Sequence, residues 1–159
     1  FDTFEQINSY HSREDGSKVI AAPVKVQYTN IRNVFILINS SNSLTIYKNK
    51  KIGEIRLTFE DAPPLVVDLI LGHNIRESLI GSQGSLVREA SSQDTGIYWK
   101  GVNKDGVTAI IDYLKIPIFN TLKNNRLVLI EFVHTPTRPS PEILDAHFSI
   151  FGISLQVDE

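Results

Sequence analysis

Seven consecutive residues, Thr95-Gly96-Ile97-Tyr98-Trp99-Lys100-Gly101, carry the side chains best suited to hold a ligand. A sugar ring presents an apolar C–H face that stacks on an aromatic plane, while its hydroxyls call for amide, carboxylate or guanidinium partners. Trp99, the single tryptophan of the chain, and Tyr98 can supply such a plane. On a regular strand the two point to opposite faces, so only one would line a given site. The competing reading packs Trp99 into the core against Ile97 or Ile110, its N–H satisfied by backbone. A second polar group, His73, Asn74, Arg76 and Glu77, stands at the end of a strand-like run. These four can converge on a polyol or a peptide carboxylate, with Arg76 as a fork-shaped donor. Alternatively, Arg76 pairs with Glu77 or Asp68 and fixes the loop.

Catalytic constellations are absent. Glu60-Asp61 with Glu89 or Asp94 offers carboxylates for glycoside cleavage, but no spacing rule ties them together. There is no Gly-x-Ser-x-Gly elbow, and His11, His73, His134 and His147 lack the spacing of a histidine metal site. Gly81-x-x-Gly84 has no Lys-Ser/Thr after it, so it is not a phosphate loop. Without cysteine, thiolate zinc sites, disulfides and cysteine nucleophiles are excluded. Asn39-Ser40-Ser41 fits a glycosylation acceptor, although it begins inside a strand-like run. The chain is expected not to be an enzyme.

The elements that must position these residues read as strands. Ile55, Leu57 and Phe59 alternate with Glu54, Arg56, Thr58 and Glu60, the period of a half-buried antiparallel strand. Leu65 to Leu71 is aliphatic except for Asp68 and predicts a strand covered on both faces. Further strands are expected at Val19–Ala22, Val24–Thr29, Val34–Asn39, Val107–Ile118, Arg126–Val133 and His147–Val157, the last with a bulge at Gly152. The run Ile31 to Ile38 suits a central strand. Gly72 to Gly106 reads as one long irregular section, the kind of loop that tends to be functional. Thr135 to Pro141 is a proline-rich surface crossover. Helical periodicity is weak; Asn74–Ile80 and Pro141–Asp145 each have room for about one turn. The expected fold is therefore all-β, a two-sheet antiparallel sandwich with at most one or two short helical turns, and a closed barrel is the alternative.

Composition agrees with one globular domain over residues 1–159. Hydrophobic residues make up 42% of the chain and charged residues 21%. A net charge of -2 gives no bulk attraction to nucleic acid, and the basic run Lys48-Asn49-Lys50-Lys51 sits beside a turn. No apolar run approaches the ~18 residues of a membrane span. The chain opens at Phe1 without methionine, so a domain of a larger protein is the simplest expectation.

Three segments carry a family resemblance. Ile52-Gly53-Glu54-Ile55-Arg56-Leu57-Thr58-Phe59-Glu60-Asp61 is a strand with a small residue near its start and an acidic turn at its end. Val66 to Gly72 runs into His73-Asn74-Ile75-Arg76-Glu77, and His147 to Leu155 has the look of a closing strand. Together they resemble the galactose-binding-domain-like jelly roll of carbohydrate-binding modules and discoidin-type domains. The resemblance implies ligand binding by loops at one end of the sandwich, often with a structural calcium, and chain ends that meet. Glu14, Asp15 and Asp158 or Glu159 could then supply oxygens for that calcium. The implied function is a non-catalytic, extracellular accessory module that binds carbohydrate. The alternative is a structural domain that contacts a neighbouring protein domain, with Ile80 and Leu86 in an apolar patch.

Overall fold

The computed structural model describes residues 28–158 in full, together with the backbone of Tyr10–Ser12 and Lys18–Pro23. Nine strands are described: β1 Tyr10–Ser12, β2 Lys18–Pro23, β3 Ile31–Ser41, β4 Lys51–Phe59, β5 Leu65–Ile70, β6 Thr95–Val102, β7 Thr108–Pro117, β8 Leu127–His134 and β9 His147–Val157. They form two antiparallel sheets. One has the order β1-β2-β8-β4-β5 and the other β6-β7-β3-β9. The fold is thus the all-β, two-sheet sandwich that the alternating pattern predicts.

Alternation explains where the core lies. Ile55 and Leu57 of β4 face Phe132 and Ile130 of β8, and all four are fully buried. From the other sheet, Ile36 and Ile38 of β3, Leu114 and Ile116 of β7 and Ile153 of β9 complete the same cluster. The run Ile31–Ile38 does occupy an interior position, between β7 and β9. The bulge in β9 falls at Phe151, where the register against β3 slips between Gly152 and Ile150, one residue before the glycine.

Four expectations need correction. β5 is an edge strand covered on one face only: Leu65, Val67 and Leu69 turn to the core, while Val66 and Asp68 alternate onto the exposed face. The segment Gly72 to Gly106 is interrupted by β6, whose two glycines and irregular register hide the strand period. Neither Asn74–Ile80 nor Pro141–Asp145 is helical; the one short helix among the described residues is a 3-10 turn at Thr45–Tyr47. Residues 24–27 of the expected Val24–Thr29 strand lie outside the described residues, and Tyr28 and Thr29 are not in a strand.

Glu54 is buried although its position in β4 belongs to the polar set. Lys51 Nζ reaches its carboxylate at 2.6 Å and Asp68 at the same distance, while Arg56 bonds the other Glu54 oxygen. The Lys51 ammonium, with help from Arg56 and against the opposing effect of burial, holds the Glu54 carboxyl below its ordinary range. The folded value being lower than the unfolded one, this contribution is complete above about pH 4.3 and is lost as pH falls through the depressed folded value. Glu54→Gln should therefore destabilise the protein at pH 7 and far less at pH 2. Urea unfolding at both pH values checks this, and an equal loss at both would refute it.

Candidate functional site

β6 is an edge strand that pairs only with β7. On β7, Ile110, Asp112, Leu114 and Ile116 are buried, so Ala109, Ile111 and Tyr113 point outward. Residues opposite one another in register share a face. Trp99 opposes Ile111, Gly101 opposes Ala109 and Gly96 opposes Tyr113, which places all three on the outward face. The two glycines have a definite use here. A Cβ on Gly101 would stand 2.3 Å from Trp99 Cζ2, and one on Gly96 would stand 2.6 Å from the Tyr113 hydroxyl. Both aromatic rings thus occupy space above glycine backbone, a packing that any larger residue would prevent. Phe35 packs edge-on against Tyr113, with centroids 6.2 Å apart, and extends this apolar face onto β3.

Trp99 is 46% exposed and Tyr98 67% exposed. Trp99 is therefore not the core anchor of the alternative reading; Ile110, with which it would have packed, is buried on the opposite face. The register of β6 slips between Ile97 and Trp99, leaving Tyr98 as an extra residue without a cross-strand partner. A bulge of this kind alters the simple opposite-face rule expected for adjacent residues. Neither the Trp99 indole N–H nor the Tyr98 hydroxyl has a hydrogen-bond partner among the described residues. Ile97 and Val102 are exposed on the same strand. Ile80 and Leu86 are only half-buried, and in the loop before β6 the exposed large apolar residue is Leu79.

The second polar group is used inside the protein. The chain from Arg76 to Gly81 wedges between the end of β3 and the start of β7: Ser40 N bonds Arg76 O, Ser78 N bonds Ser40 O, and Ile110 N bonds Ser78 O. At the mouth of this split lies Asp112, whose side chain is 2% exposed. Arg76 donates to it through Nε at 2.8 Å and Nη2 at 2.9 Å, and Asn39 Nδ2 adds a third bond at 3.1 Å. The Asp112 carboxylate raises the Arg76 guanidinium further above its ordinary value. Arg76 thus pairs with neither Glu77 nor Asp68. The Glu77 carboxylate accepts from the backbone N–H groups of Ser43 and Leu79. Asn74 accepts from Ile70 N and donates to Asp68 O. Of the four, only His73 is exposed, with Nδ1 3.1 Å from Ser91 Oγ. Arg76, Asn74 and Glu77 hold the loop in place, and the His73 carbonyl accepts from Ser92 N, shortly before β6.

Sequence reasoning missed Asp112, Gly96 and Gly101. A lone acid within the strand-like run Val107–Ile118, in step with the apolar Ile110, Leu114 and Ile116, was the available signal for the first.

The other candidates are placed as follows. Glu14 and Asp15 lie outside the described residues, and the Asp158 carboxylate is 3.1 Å from Lys123 Nζ. No group of three or more His, Cys, Asp or Glu residues suited to a metal occurs among the described residues. Glu60 pairs with Arg126, and Asp61 adopts a positive φ of 57° in the β4–β5 turn. Asn39 is 1% exposed, which buries the acceptor amide of the Asn39-Ser40-Ser41 triplet. No described helix is long and apolar enough to cross a membrane. No protein-family model, curated protein or solved structure matches the chain.

Proposed function

We propose that this domain is a non-catalytic β-sandwich module of a larger exported protein and recognises carbohydrate through the outward face of β6. The reading places it with the galactose-binding-like sandwiches that the segments Ile52–Asp61, Val66–Glu77 and His147–Leu155 resemble. One observation carries it. The sole tryptophan lies nearly half exposed over a glycine on a sheet face, beside a still more exposed tyrosine. A buried position would cost an indole little, whereas exposed aromatic area is lost hydrophobic stabilisation unless something covers it. A saccharide ring is a suitable cover, since its C–H face stacks on the indole while the free indole N–H and Tyr98 hydroxyl meet its hydroxyls. Arg76, Asn74 and Glu77 set the loop geometry and take no part in the contact.

Ile97 and Val102 favour a second reading, in which β6 docks a neighbouring protein domain. Both are exposed on the same edge, and an edge strand offers unpaired backbone groups to another chain. Because Trp99 is the only tryptophan, its intrinsic fluorescence reports on this surface directly. Titrating the chain with soluble polysaccharides should shift the emission to shorter wavelength and protect it from iodide quenching. No change with any glycan, together with concentration-dependent dimerisation or capture of a flanking domain, would replace the first reading with the second.

A further inference from the structure

We infer that a second binding site, separate from the aromatic face, accepts a sugar acid. A cleft of about 500 Å³ opens between the 3-10 turn and the segment after Leu86. That volume falls in the range of about 300–1,000 Å³ usual for small-molecule sites. The charged residues of its lining are Lys48, Arg88 and Glu89, beside Thr45, Ser91 and Leu86.

The state of these groups identifies the ligand. Lys48 and Glu89 line one cleft, yet no ion pair joins them and neither side chain has a hydrogen-bond or ion-pair partner among the described residues, the Glu89 carboxylate acting only at longer range on the Arg76 guanidinium. Arg88 is anchored, with Nη2 donating to the carbonyls of Ser82 and Gly84 at 2.6 and 2.8 Å, which leaves the remainder of its fork free. Ser91 Oγ is oriented by His73 Nδ1. Two cations against one carboxylate give the lining a net positive charge, which selects a monoanion. A simple carboxylate such as acetate would satisfy Lys48 but leave Glu89 facing a like charge. A neutral sugar would satisfy Glu89, a good acceptor for paired hydroxyls, but waste the cations. A uronate meets both demands: its carboxylate goes to Lys48 and Arg88, its vicinal hydroxyls to Glu89, Thr45 and Ser91, and its C–H face to Leu86. The inference does not rest on the aromatic face, which contains none of these residues.

The test is amide chemical-shift perturbation of the 159-residue chain titrated with glucuronate, glucose and acetate in parallel. Glucuronate should shift the amides of Gly72, Leu86 and Ser91 and bind at least tenfold more tightly than either comparator. Lys48→Gln should weaken glucuronate about tenfold or more, the loss of one charge-assisted hydrogen bond, and leave glucose unchanged. Glu89→Gln should weaken glucuronate but strengthen acetate, because the repelling charge is removed. Equal affinity for acetate and glucuronate would show a non-selective anion patch and overturn the proposal. So would absence of shifts in this cleft, or glucuronate binding that Lys48→Gln does not alter. Trp99→Ala should leave the glucuronate response intact, which separates failure of this site from failure of the β6 reading.

Discussion

Replacing Asp112 with alanine is expected to cost about 3–5 kcal/mol of folding stability, the loss typical of a buried ion pair broken from one side. The size follows from what remains. Arg76, only 17% exposed along its side chain, would keep its charge but lose both bonds to the carboxylate, and the Asn39 amide would be left with only the Arg76 carbonyl at 3.5 Å. A buried donor without an acceptor costs more than the bond itself contributed. The damage should also spread, because this cluster closes the split into which Arg76–Gly81 is wedged. Arg76→Leu combined with Asp112→Leu should recover much of the loss, since removing both charges leaves neither uncompensated. Urea denaturation of Arg76→Leu, Asp112→Leu and the double variant measures the coupling. A loss below 1 kcal/mol for Asp112→Ala, or strict additivity in the cycle, would show that the cluster is not what holds the loop.

Trp99→Ala should reduce polysaccharide binding on the order of 30-fold, the factor that corresponds to a hot-spot contribution of about 2 kcal/mol. Its cost in stability should be about 1–2 kcal/mol, below the ~3–5 kcal/mol of a fully buried tryptophan, because nearly half the side chain is already in water. Affinity electrophoresis in glycan-containing gels, set beside urea unfolding of the same variant, separates the two effects. Tyr98→Ala provides an independent check. At 67% exposure and without a cross-strand partner, Tyr98 contributes little to folding, so a drop in retention would come from lost contact. Full retention by both variants would exclude the β6 face as a glycan site.

The strands legible in the sequence were those with a clean period of two. Ile55, Leu57 and Phe59 declare one face of β4, and the aliphatic run at Ile31–Ile38 declares an interior strand. β6 was not legible as a strand, because glycines at 96 and 101 and the extra residue at Tyr98 break its alternation. Its aromatic pair was nonetheless recognisable by residue type alone. Whether Trp99 lay inside or outside depended on register with β7, a relation between residues not adjacent in the chain.

The same limit governs the polar residues. His73, Asn74, Arg76 and Glu77 cluster in the chain, and clustering alone suggests a shared site. Arg76, however, meets Asp112 across 36 residues, and Asn39 meets Asp112 across 73. What the amino-acid order determined by itself was the layering, since burying alternate side chains requires only local periodicity. Which polar groups are consumed within the protein and which stay free for a ligand was decided by the tertiary structure. A carboxylate finds its guanidinium only after distant strands have been brought side by side.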